Sequence, residues 1–85
     1  MREPLKYIIV ENTGIENAIV FNSILSHEDV GGRFRLNRTV ISAGFCYLPD
    51  ELNEHVSTYG KSTTLGIESR EEDAEIIQRQ FFPKN

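Results

Sequence analysis

The chain has 85 residues, 39% of them hydrophobic and none of them Trp, which is enough for one small core and one expected domain spanning residues 1–85. Thirteen acidic against nine basic residues give a formal net charge of -4. That is opposite to the basic excess of a non-specific nucleic-acid binder, so nucleic acid is not an expected partner. A single cysteine excludes an internal disulfide and a four-cysteine zinc site, and fits a reducing compartment.

The opening run from Lys6 to Asn12 is apolar and β-branched, and Glu11 interrupts it far short of the roughly 20 residues a bilayer span needs. It reads as a first strand and not as a signal peptide, so no membrane is expected and the expected location is the cytoplasm. A second apolar run, Asn17 to Ser23, follows Thr13-Gly14-Ile15-Glu16, and the pair predicts a β-hairpin. Both runs are nearly continuous, so part of the hairpin is expected to be covered on two faces. Ser26 lies three residues before Asp29, a helix-start pattern, and Gly31-Gly32 limits that helix to a turn or two.

Residues 38–48 form the longest strand candidate. Alternation sets Val40, Ser42, Gly44, Cys46 and Leu48 on one face and the bulkier Ile41, Ala43, Phe45 and Tyr47 on the other, expected to be the core face. Gly44 in mid-strand predicts a bulge or the close approach of another backbone. Residues 55–67 read as a strand interrupted near Gly60. Ser69 with Glu72 makes a capping box, and Ala74, Ile77 and Phe81 follow at helical spacing until Pro83. The fold class expected is α+β: a small antiparallel sheet of about four strands with a C-terminal helix packed on one face.

Gly60-Lys61-Ser62 ends like a phosphate-binding loop, but that loop needs a glycine five residues upstream, where His55 stands, and a helix downstream, where the β-prone Thr63-Thr64-Leu65-Gly66-Ile67 follows. His27, Cys46 and His55, with Asp29 or Asp50, have metal-ligand chemistry without the short ligand spacing of small zinc domains, so no metal is expected. Cys46 with His55 could pair as thiol and base across a hairpin, but no further catalytic part accompanies them. No serine lies in a Gly-x-Ser-x-Gly context, and Glu28, Asp29, Asp50, Glu51 and Glu54 cluster in turns. No catalytic residue and no cofactor are therefore assigned.

Arg33, Phe34, Arg35 and Arg38 form the one local cationic departure from the acidic average. Arginine forks suit phosphate or carboxylate, and an aromatic ring can stack on a base. With Lys61 and Ser62 they are the candidate site for a small anionic ligand such as a nucleotide. The other expectation is a non-catalytic protein that works through a protein partner or through self-association at a sheet edge.

Ser42-Ala43-Gly44-Phe45-Cys46, Gly60-Lys61-Ser62 and Ser69-Arg70-Glu71-Glu72-Asp73 together resemble a pattern of small proteins from bacteria and their phages or prophages, to which no activity is attached. The resemblance covers roughly Thr39 to Ile77. It implies a short phage or accessory-genome protein that acts by binding, with a host defence or regulatory component as the natural class of target. No catalytic residue carries over from it.

Overall fold

The structure is a computed structural model that describes residues 3–27, 29–30, 39–52, 54–63 and 65–83. Strands β1 (Leu5–Asn12), β2 (Ile15–Phe21), β3 (Thr39–Tyr47) and β4 (Ser57–Tyr59) form an antiparallel sheet in the order β2-β1-β3-β4. Strands β5 (Lys61–Ser62) and β6 (Ile67–Glu68) form a separate small hairpin, and helix α1 (Asp73–Phe81) packs on the sheet. The architecture is α+β, as the alternation of apolar runs and the final helical spacing predict.

The β1–β2 hairpin closes on Thr13 and Gly14, at φ 54° and 83°. Positive φ at both positions gives a two-residue turn whose twist matches its strands. Asn12 faces Ile15 across the turn, Ile9 faces Ala18, and Lys6 faces Phe21. Within β1, Tyr7, Ile8, Ile9 and Val10 are all buried, so both of its faces are covered. β2 is different: Ala18 alone is buried, because this strand forms the sheet's edge.

Two apolar clusters sandwich the central strands. Tyr7, Ile9, Ala18, Cys46, Val56 and Ile77 pack beneath α1, while Ile8, Val10, Val30 and Ala43 pack on the opposite face. Full burial of a side chain such as Ile77 stabilises the fold by about 1.5–3 kcal/mol. The face expected for the β3 core is corrected here. Ser42 and Cys46, from the smaller set, are fully buried, and Cys46 packs in the cluster beneath α1. From residue 42 onward the alternation holds: Ser42, Gly44 and Cys46 lie opposite Ile9, Tyr7 and Leu5 on the face that α1 covers, while Ala43 is buried in the cluster on the other face. A bulge between the pairs Ile9–Ser42 and Val10–Val40 leaves Ile41 as an extra residue and exchanges faces only before residue 42, so Ile41 packs on the helix-side cluster and Val40 on the opposite one.

The turn at Ser26 does cap as its sequence predicts, with the Asp29 N–H donating to Ser26 Oγ at 3.0 Å. Gly31-Gly32, expected to end that turn, lies outside the described residues. The start of α1 differs from the capping box expected for Ser69 and Glu72. Ser69 Oγ donates instead to the Gly60 carbonyl at 2.8 Å, and Asp73 accepts the Arg70 N–H at 2.9 Å. Ser69 thus ties the β5–β6 hairpin back to the end of β4, and Glu72 stands at the N-cap of α1 with no side-chain cap bond. The helix ends at Phe81, two residues before Pro83.

Candidate functional site

The arginine segment named from sequence, Arg33, Phe34, Arg35 and Arg38, lies outside the described residues. Lys61 is exposed on β5 opposite Glu68. Ser62 is buried, its Oγ accepting the Leu65 N–H at 3.1 Å and its carbonyl accepting the Gly66 N–H at 2.8 Å. Gly60, at φ +80°, is the bend between β4 and β5. Its missing side chain leaves room for the Phe45 ring, which would lie 3.1 Å from a Cβ. Lys61 and Ser62 are themselves the first strand of the β5–β6 hairpin, and among the described residues no helix starts there to face a phosphate.

His27 is a packed core histidine. Its ring sits edge-on between Phe21 and Phe45, and Nε2 lies 2.7 Å from the Gly44 carbonyl. A carbonyl only accepts, so Nε2 carries the proton. Burial lowers the His27 pKa and repulsion from Lys6 adds to this, against the opposing pull of the Gly44 carbonyl. Cys46 is fully buried and its thiol is pushed up to about 11 by desolvation, which makes it inert as a nucleophile near neutral pH. His55 is exposed in a cavity of about 580 Å³ beside Glu75, Gln78 and Phe82. Among the described residues, no group of three or more His, Cys, Asp and Glu side chains could hold a metal ion.

The most concentrated polar constellation is one that sequence spacing does not reveal. The Asp73 carboxylate is fully buried under the sheet. Oδ2 accepts from the Tyr7 hydroxyl at 2.5 Å and from the Arg70 N–H at 2.9 Å. Oδ1 accepts from the Ser42 hydroxyl at 2.9 Å and from the Arg70 guanidinium at 3.0 Å, whose Nη2 also reaches Glu16 at 2.7 Å. Burial, with the carboxylate beside it, pushes the Tyr7 phenol far above its ordinary range. The cluster resembles a catalytic network only in composition. Its carboxylate oxygens are taken up by donors, and no buried side-chain nitrogen or oxygen among the described residues lacks a partner. The sole local signal for it was Asp73 three residues after Arg70.

The surface offers more than the interior. Leu5, Val20, Leu48, Phe81 and Phe82 line a cavity of about 300 Å³ where the end of α1 overhangs the sheet. A second cavity of about 310 Å³ shares Leu5 and Leu48 and is bordered by Glu3 and Asp50. Phe81 and Phe82 remain 47% and 38% exposed, although both are large apolar side chains. The floor of this groove is aliphatic and aromatic; Glu3 and Asp50 border it on the Leu5 side, and Glu75, Arg79 and His55 line the adjoining cavity on the Phe82 side. Comparison of the chain with models of protein families, with curated proteins and with solved structures finds no match.

Proposed function

We propose that this chain is a small non-catalytic binding protein that works through protein–protein contact. The observation that carries the reading is the apolar groove of Leu5, Val20, Leu48, Phe81 and Phe82, which leaves two phenylalanines half-exposed. Large apolar side chains grouped in a concave surface are characteristic of a partner's docking site. The carboxylates of Glu3 and Asp50 and the chain's net charge of -4 favour a partner segment that carries an apolar anchor flanked by Lys or Arg. The resemblance of residues 39–77 to phage and accessory-genome proteins directs this reading toward a host defence or regulatory component.

The test is a pull-down from bacterial lysate followed by titration of whatever is retained, comparing wild type with Phe81→Ser/Phe82→Ser and with Ile24→Ser. Ile24 is 88% exposed and lines neither cavity of the groove. A genuine groove partner loses at least about thirtyfold in affinity with the double substitution, as interface anchors do, and ignores the Ile24 change. It also dissociates as salt is raised. Retention unaffected by the double substitution, or no retained partner, refutes the reading. Native mass spectrometry addresses the competing reading, an anionic ligand held by Arg33, Arg35, Arg38 and Lys61: added mass of nucleotide size, lost in Arg35→Glu, would displace the protein-partner proposal.

A further inference from the structure

The pairing of β1 with β2 fixes which backbone groups of β2 point outward. In a two-residue hairpin the closing pair, Asn12 and Ile15, exchanges both hydrogen bonds, and bonded and non-bonded pairs then alternate. Glu16, Ala18 and Val20 are therefore the residues whose N–H and C=O face away from β1, along the sheet's edge. At the middle one, Gln80 of α1 intervenes. Its Oε1 accepts the Ala18 N–H at 2.7 Å and its Nε2 donates to the Ala18 carbonyl at 2.8 Å. These are the same two bonds that a residue of a neighbouring antiparallel strand would make. Two residues earlier in the helix, Gln78 reaches the other side of the sheet and accepts the Val56 N–H at 2.7 Å, just before β4.

We infer that Gln80 is an edge guard: its side-chain amide occupies the strand-pairing position of β2 and keeps that edge from pairing with β2 of a second copy of this chain. The second copy is the occupant that the edge itself specifies. Placing Ala18 opposite its own equivalent sets Glu16 opposite Val20 and Val20 opposite Glu16, so three outward residues pair without opposing like charges. β2 is seven residues long and carries the exposed Ile15 at its start, and an edge of that length and composition invites addition. A groove of about 460 Å³ lined by Gly14, Glu16, Asn17, Ile76, Arg79 and Gln80 lies alongside it, so Gln80 is what fills the position.

The experiment uses the full chain with Gln80→Ala, which vacates the edge, and Gln80→Met, which fills the space without donor or acceptor. Amide exchange at Ala18 is read by NMR at low concentration, and association by sedimentation equilibrium. Both variants accelerate exchange at Ala18 by about tenfold or more, the effect of losing two net hydrogen bonds. Only Gln80→Ala associates one step further than wild type, at least about tenfold more tightly, since it alone leaves room for a strand. Unchanged exchange at Ala18 in both variants, or Gln80→Ala sedimenting as wild type does, overturns the inference. Loss of the lysate partner described above has no bearing on either readout.

Discussion

Substituting Asp73 by Asn measures what the buried network contributes to the stability of the fold. The two side chains have nearly the same size, so no cavity forms and the effect is electrostatic. Asn has one acceptor oxygen where Asp has two, and its NH2 group would point at one of the two donor sets, Tyr7 with the Arg70 amide or Ser42 with the Arg70 guanidinium. The Tyr7 and Ser42 hydroxyls can turn to accept, but the Arg70 N–H groups cannot. One charge-assisted bond lost costs about 1.5–3 kcal/mol, and a partly exposed guanidinium left without its buried carboxylate brings the total to about 3–5 kcal/mol. For 85 residues, whose total stability is of order 4–13 kcal/mol, this is a large share. Urea unfolding followed by circular dichroism measures it, with Glu16→Ala as the contrast. Glu16 meets Arg70 at the surface, so its loss costs under about 1 kcal/mol. Asp73→Asn within about 1 kcal/mol of wild type, or no worse than Glu16→Ala, would refute the reasoning.

Gly44→Ala places a Cβ 2.6 Å from the Tyr59 carbonyl oxygen and 3.2 Å from Ser69 Cβ, so β4 must move. A cost of about 1–3 kcal/mol follows, seen as a drop of several degrees in Tm for each kcal/mol; an unchanged Tm would contradict the packing described. His27 gives a pH dependence. Its folded pKa lies below its unfolded value of about 6.5, so as pH falls through 6.5 the unfolded chain takes up the proton first. Stability is complete above that pH and declines below it. Chemical denaturation between pH 7 and pH 5 shows this slope in wild type and a reduced one in His27→Gln; equal slopes would remove His27 as its source.

How far the sequence could be read differs from element to element for physical reasons. The hairpin and β3 were legible because β-branched runs and Thr13-Gly14 are local signals, and the helix was legible from Ala74 and Ile77. The core face of β3 was not, since both of its faces are covered and the distant helix α1 docks on the side of the smaller residues Ser42 and Cys46. The hairpin of β5 and β6 was missed because two-residue strands are too short to show a period. Asp73 reads as one acid among several at a helix start, and only the distant Tyr7 and Ser42 make it a buried ligand of three elements. Gln78 and Gln80 were silent for the same reason: their partners, Val56 before β4 and Ala18 on β2, lie 22 and 62 residues away in sequence. Of the candidate site, the β-prone surroundings of Lys61 and Ser62 marked them as extended chain without showing the hairpin they form, while the groove around Phe81 depends on tertiary packing.

The bonds from Tyr7 to Asp73 and from Ala18 to Gln80 span 66 and 62 residues of chain. During synthesis the hairpin of β1 and β2 can form early, but its underside stays uncovered until α1 has been made. Closing loops of this length delays the reward for ordering them, so chain separation favours a late docking of the helix. Until then a nascent chain displays Tyr7, Ile9 and an unguarded β2 together, which is the state in which chaperones would bind it. The segment that closes the core is therefore also the one that ends the period of greatest exposure to misassembly.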